Sequence, residues 1–338
     1  MVRDRLTTLE MESKAPGRIA IDSYGLNPSE PDRDRRPLLT VMSLAAAAMV
    51  ALALGYLRTM ADSRIHGVGD IQHINQVPFL GRLALLPRQV LPRELGGCSD
   101  RSLLVACPGE VSTNPYSDPN GTAVLMEGVR MVRTALLERL GGVTTERAIL
   151  ITSPTAGAGK TSLAFLLARS LAATGKKVLL VECDFYRSSL SGRLGLEAGE
   201  GLAALLARMV GDAQAIQRTA MPCLDVLPVG KVHKAFNPEV MANGVFAECM
   251  ARWKRSYNFV IIDSPPVLSV ADARILAGHA DGSLLVVRAS HNRRAETWAA
   301  FNQLLATRGG VLGVVMIGGD MPHASAHHLS HRRLQRRG

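Results

Sequence analysis

The run Ala148-Ile149-Leu150-Ile151-Thr152-Ser153-Pro154-Thr155-Ala156-Gly157-Ala158-Gly159-Lys160-Thr161-Ser162 constrains this chain more than any other stretch. An apolar, β-branched segment stops at Ser153 and a turn with two glycines follows. From Lys160 a helical spacing sets in, with Leu163, Leu166, Leu167 and Leu171 on one side. A strand, a phosphate-sized loop and a helix start therefore stand in line. Gly157 and Gly159, with Ala158 between them, let the backbone approach bound oxygens. The helix start, over Lys160, Thr161 and Ser162, directs unpaired N–H groups and a positive dipole end at them. Lys160 can reach terminal phosphates and the Thr161 hydroxyl can hold Mg²⁺, which makes a nucleoside triphosphate site. Pro154 stands where the standard phosphate loop has glycine, so the match is to a variant loop. The alternative is a tight strand-to-helix turn with a solvated lysine.

Beyond the loop, segments that read as strands (Lys177 to Glu182, Leu224 to Val229, Asn258 to Asp263, Ser283 to Arg288, Gly313 to Ile317) alternate with helical patterns at 160–174, 200–210, 238–255, 270–279 and 294–308. Strands that are apolar throughout predict an α/β fold, a parallel sheet buried between two helical layers, with ligands at the carboxyl ends of the strands. Glu182, Asp184 and Asp263 sit at those ends. An apolar strand closing on an aspartate, as Phe259-Val260-Ile261-Ile262-Asp263 does, sets a carboxylate beside the loop to support a metal shell.

Residues 1–37 mix charges of both signs with four prolines and no hydrophobic period, which predicts an extended or disordered segment. Leu38 to Leu57 contains no charged residue and is about long enough to span a hydrocarbon core of roughly 30 Å. It reads as a single transmembrane helix; a buried soluble helix is the alternative. Arg33, Arg35 and Arg36 before it compete with Arg58 and Arg64 after it, so charge alone does not set the orientation. ATP lies in the cytoplasm, which argues for placing the residues after 58 there, in a protein of the inner membrane. Residues 58–122 are rich in glycine and proline and read as a connector, with 76–83 a strand or turn packed near the membrane. Residues 123–320 form the ATP-binding domain and 321–338 a basic His/Arg tail.

Between Val124 and Leu140, Leu125, Val129, Val132, Leu136 and Leu140 recur at helical spacing, and Glu127, Arg130 and Arg133 follow three apart on another face. A solvated helix with internal ion pairs is the alternative reading of that pattern. The net charge of +10 fits a nucleotide or an anionic membrane surface, while 4% aromatic content leaves few rings for stacking bases, so no nucleic acid partner is expected. Cys98, Cys107, Cys183, Cys223 and Cys249 show neither zinc spacing nor an even disulfide count.

With these pieces in place the chain resembles the bacterial tyrosine kinases of capsular and exopolysaccharide systems, over about residues 70 to 320. The resemblance rests on Glu127-x-x-Arg130-x-x-Arg133-Thr134, the loop from Thr152 to Ser162, Val178-Leu179-Leu180-Val181-Glu182-Cys183-Asp184, and Val260-Ile261-Ile262-Asp263-Ser264-Pro265-Pro266-Val267 with Asp272. Partitioning relatives carry an extra lysine early in the loop, and Thr155 and Ala156 show none. The N-terminal third resembles the end of a polysaccharide co-polymerase region. The first transmembrane helix and external domain of that region have no counterpart, which implies a shortened form working with a separate export protein.

The resemblance implies that Lys160 neutralises the β and γ phosphates of ATP, and that Thr161, Asp184 and Asp263 hold Mg²⁺ directly or through water. Glu182 and Asp184 would position or deprotonate a tyrosine hydroxyl. Glu127, Arg130 and Arg133 would meet a neighbouring subunit's nucleotide in a homo-oligomer. Glu182 replaces the family's aspartate, Ile317 stands where asparagine is common, and the proline usual after Arg187 is absent. The tyrosines are Tyr24, Tyr56, Tyr116, Tyr186 and Tyr257, with none in the tail, where the family has a cluster. That tail carries His323, His327, His328, His331 and four arginines, a solvated basic end or a metal site. Two functions follow from these features: a membrane-anchored ATP-dependent tyrosine kinase, or a regulatory ATPase or scaffold that does not phosphorylate itself.

Overall fold

The computed structural model describes residues 2–13, 36–72, 78–85, 122–141, 146–188, 190, 194, 196, 199–232, 238–241 and 244–319. Cys98, Cys107, Tyr24, Tyr116 and the His/Arg tail lie outside these. The chain divides into two compact units, Met1–Asp62 and Ser63–Gly338.

In the first unit, Arg36–Ala61 is one helix, and its stretch Arg36–Arg58 is long and apolar enough to cross a membrane. At 1.5 Å per residue that stretch is about 35 Å long. Leu44 and Leu52 are each 74% exposed, so the helix is no core helix of this unit. Val2–Ser13 is also helical, a correction to the extended segment expected over 1–37, with Asp4 in its first turn complementing the positive end of the helix dipole.

The second unit is built on an eight-stranded sheet: β1 Phe79–Leu83, β2 Arg147–Thr152, β3 Val178–Glu182, β4 Gln217–Arg218, β5 Leu224–Leu227, β6 Phe259–Asp263, β7 Gly282–Arg288 and β8 Val311–Ile317. Their order is β1-β8-β7-β2-β6-β3-β5-β4, parallel throughout except for the antiparallel β4. β3 and β6 are buried along their whole length, as strands covered on both faces must be. Successive residues serve opposite faces: Leu150 joins the core under helices Gly244–Ser256, Asp272–His279 and Arg294–Leu305. Ile149 and Ile151 join the core under helices Thr122–Arg139 and Lys160–Ala172. Two helical layers thus sandwich the sheet, as the alternation predicts.

Several boundaries differ from expectation. Part of the 58–122 segment belongs to the sheet, since Phe79–Leu83 pairs in parallel with β8 as an edge strand. The helix expected over 200–210 is shorter, Leu202–Leu206, and a further short helix, Asp212–Ala215, follows beyond it. The first is cut short by Arg208, which takes a left-handed backbone with φ 58°. β5 stops at Leu227, ahead of Gly230 with φ 71°, and a 3₁₀ turn at Pro238–Met241 precedes the helix Gly244–Ser256.

Candidate nucleotide site

β2 runs between β6 and β7, so the loop 153–159 emerges at the middle of the sheet's carboxyl edge. Gly159 takes φ +97°, and a Cβ there would come within 2.6 Å of Ile317 Cδ1. The loop therefore passes beneath the tip of β8 in a backbone shape that favours glycine. Gly157 has φ +83°, and Ala158 is buried between the two. Lys160 opens the helix, with Thr161 buried and Ser162 in its first turn; the N-cap residue, Gly159, has no side chain with which to cap it.

Lys160 Nζ donates to Asp184 Oδ2 at 2.8 Å, the two side chains being 12% and 2% exposed. Asp184 Oδ1 accepts from the backbone N–H of Arg187 at 3.0 Å. One strand over, Asp263 is fully buried and neither of its carboxylate oxygens has a hydrogen-bond partner among the described residues. Burial pushes its pKa up to about 7; Glu182 and Asp184 add to the rise, while the Lys160 charge and the nearby Thr161 hydroxyl oppose it. An orphaned carboxylate next to a hydroxyl and an ammonium is a hard-oxygen setting in which a small divalent cation fits. Mg²⁺ takes only one or two protein ligands when phosphates supply others.

Glu182 is placed differently from the expectation that it handles a tyrosine hydroxyl. Its Oε1 accepts from Leu190 N at 2.8 Å, and its Oε2 accepts from Ser188 Oγ at 3.0 Å and Val229 N at 3.3 Å. The extra methylene lets the carboxylate reach past the strand end and tie down the loop that follows. Cys183, between the two acids, is fully buried, and its thiol is pushed up first by burial and then by Asp263, Glu182 and Asp184, which makes it inert as a nucleophile. On the same loop the exposed Tyr186 has its hydroxyl held above the ordinary range, by partial burial first and then by the Asp272 carboxylate.

The charged residues of helix Thr122–Arg139 separate. Glu127 and Arg130 form an exposed ion pair at 3.2 Å. Arg133 turns inward, its Nη1 donating to the Ser170 carbonyl at 2.8 Å and to Ser170 Oγ at 3.0 Å. Within the single chain, Arg133 thus bonds to Ser170 through Nη1, while Glu127 and Arg130 pair with each other at the surface.

The sheet, the loop and its lysine, and the acids on neighbouring strands define an α/β P-loop nucleotide-binding domain. Residues 146–301 match the AAA domain family. YwqD, a tyrosine-protein kinase of Bacillus subtilis, is 34% identical over 173 residues, 51% of this chain and 72% of its own. The chain belongs to the bacterial tyrosine-protein kinase family. EpsB of Ralstonia solanacearum is 30% identical over 292 residues, which is 85% of this chain and only 37% of that relative's length. Among solved structures, the BceF tyrosine kinase domain superposes with a TM-score of 0.61 at 26% identity, over 76% of this chain and 100% of that one.

Proposed function

We propose that this chain is a membrane-anchored, Mg·ATP-dependent protein-tyrosine kinase acting in the assembly or export of extracellular polysaccharide, with its ATPase unit on the cytoplasmic side. The observation that carries this reading is the convergence of Lys160, Asp184 and the fully buried Asp263 at the mouth of a glycine loop. Lys160 would exchange Asp184 for the β and γ phosphates. Backbone N–H groups at Gly157 to Ser162 would hold the phosphate oxygens. Thr161 and Asp263 would hold Mg²⁺, with Asp184 in its outer shell. The ion's chemistry is to neutralise charge on the transferring phosphoryl group.

Once Lys160 has turned to phosphate, Asp184 is the acid free to orient a tyrosine hydroxyl and receive its proton, while Glu182 keeps the loop in place. Phosphoryl transfer is mostly placement and charge neutralisation, and these residues supply both. Glu127 and Arg130 would meet a neighbouring subunit, and the helix Arg36–Ala61 would anchor the chain beside an export protein.

The alternative is a regulatory ATPase or scaffold of the same system that does not phosphorylate itself. Incubating the full chain in detergent with γ-labelled ATP and a tyrosine-containing polymer separates the two. Label on tyrosine is expected; phosphate release with no labelled tyrosine would replace the kinase by the ATPase.

A further inference from the structure

The segment Arg288–Arg293, at the end of β7, contains none of the residues assigned to the phosphate site from the sequence, yet three of its side chains grip the phosphate loop. Asn292 Nδ2 donates to Thr155 Oγ1 at 2.7 Å. His291 Nε2 lies 2.9 Å from the Ala156 carbonyl oxygen, and Arg288 Nη1 donates to the Gly157 carbonyl at 3.2 Å. In a trans peptide the carbonyl and N–H point opposite ways. Holding the carbonyls of Ala156 and Gly157 on this loop turns the N–H groups of Gly157 and Ala158 away from it. N–H groups fixed in one direction are what an anion-binding concavity requires.

Asn292 is the centre of this arrangement, because it is 0% exposed and every polar group it has is used. Besides its donation to Thr155, its Oδ1 accepts from Arg288 N at 2.8 Å and its backbone N–H donates to the Arg288 carbonyl at 3.0 Å. Its own carbonyl accepts from Ile65 N at 2.9 Å. Ser290, with φ 57°, donates its N–H to the Ile65 carbonyl at 2.7 Å, and Arg294 N donates to the Ser63 carbonyl at 2.9 Å. The clamp is thus fastened from behind by the residues at which the chain enters this unit. Removing the Asn292 amide leaves two partners, the Thr155 hydroxyl and the Arg288 N–H, without their bonds in a place water reaches poorly.

We propose that Asn292 is a positioning residue for the nucleotide, holding the phosphate loop in its binding shape through Thr155. The inference rests on the nucleotide reading above. It is tested on the full chain in detergent by anisotropy of fluorescently labelled ADP with Mg²⁺, by steady-state kinetics with ATP, and by unfolding without nucleotide. Asn292→Ala and Thr155→Val should each weaken nucleotide binding roughly tenfold. The double variant should be no weaker than the worse single, since both singles already lose the Asn292–Thr155 bond. Thr155→Ser, which keeps the hydroxyl, should bind within about threefold of wild type. KM for ATP should rise with kcat nearly unchanged. Single variants that lose stability but bind as wild type, or single effects that multiply in the double, would overturn the proposal. If Asn292→Ala does not fold, Thr155→Val on the half-buried loop decides alone. A wild-type chain that binds no nucleotide would remove the nucleotide site and this inference together.

Discussion

Lys160 and Asp184 form a 2.8 Å ion pair that is almost closed to solvent, so the residue expected to grip phosphate also has a carboxylate partner within its own chain. Taking one member away strands the other. Lys160→Met should therefore both abolish nucleotide binding and lower the unfolding free energy by about 3 kcal/mol, because Asp184 is left buried and uncompensated. Adding Asp184→Asn should return most of the stability and none of the binding. Denaturant melts alongside nucleotide titrations check both halves.

Asp263 gives a pH dependence. Below about pH 4 the carboxyl is protonated whether folded or not and contributes nothing. Between there and its folded value of about 7 the folded state keeps a proton that the unfolded state has lost, so stability falls as pH rises; above 7 the penalty is constant. Asp263→Asn carries no such penalty. In nucleotide-free protein it should be more stable than wild type at pH 8, by up to about 4 kcal/mol, and by only about 1 kcal/mol at pH 4.5. Melts at the two pH values measure this, and the same variant should lose Mg²⁺-dependent nucleotide binding.

Glu182 predicts local loosening. Glutamine at 182 has one acceptor oxygen where two backbone N–H groups and a hydroxyl donate, and aspartate is too short to reach them. Glu182→Gln and Glu182→Asp should speed hydrogen exchange at Leu190 and Val229 while leaving β2 protected. Unchanged exchange at both amides would show that the carboxylate does not anchor the loop.

The helix Thr122–Arg139 separates assembly from stability. Arg130→Ala should change the melting free energy by less than about 0.5 kcal/mol, because an exposed ion pair contributes little, and should lower self-association in sedimentation. Arg133→Ala should do the reverse, costing about 1–2 kcal/mol through the lost bonds to Ser170.

The span is tested by Val50→Arg. A charge near the middle of the uncharged stretch costs about 3 kcal/mol of insertion. Wild type should resist alkaline extraction from membranes and the variant should be released in part.

Much of this unit was legible because buried parallel strands leave unbroken apolar runs: Val178–Glu182 and Phe259–Asp263 each announce a strand, and the acid that closes each marks the sheet's carboxyl edge. The Gly157–Lys160 loop was legible for the same reason, since it has to lie between a strand and a helix. Around Phe79–Leu83 the prolines and glycines left strand and turn both open, and the pairing with β8 decides for the strand. Side-chain direction was the other limit. Nothing in the spacing of Glu127, Arg130 and Arg133 shows that the last one folds onto Ser170, or that Glu182 reaches forward to Leu190. Asn292 has no periodic context at all, and its burial arises from tertiary contacts with Thr155 and Ile65.

The most direct measurement is calorimetric titration of the full chain in detergent with ADP, with and without Mg²⁺. One saturable site is expected that tightens when Mg²⁺ is present, releases heat in wild type and falls silent in Lys160→Met. No heat from wild type, or the same heat from the Lys160→Met variant, would contradict a nucleotide held by Lys160 and the carboxylates beside it.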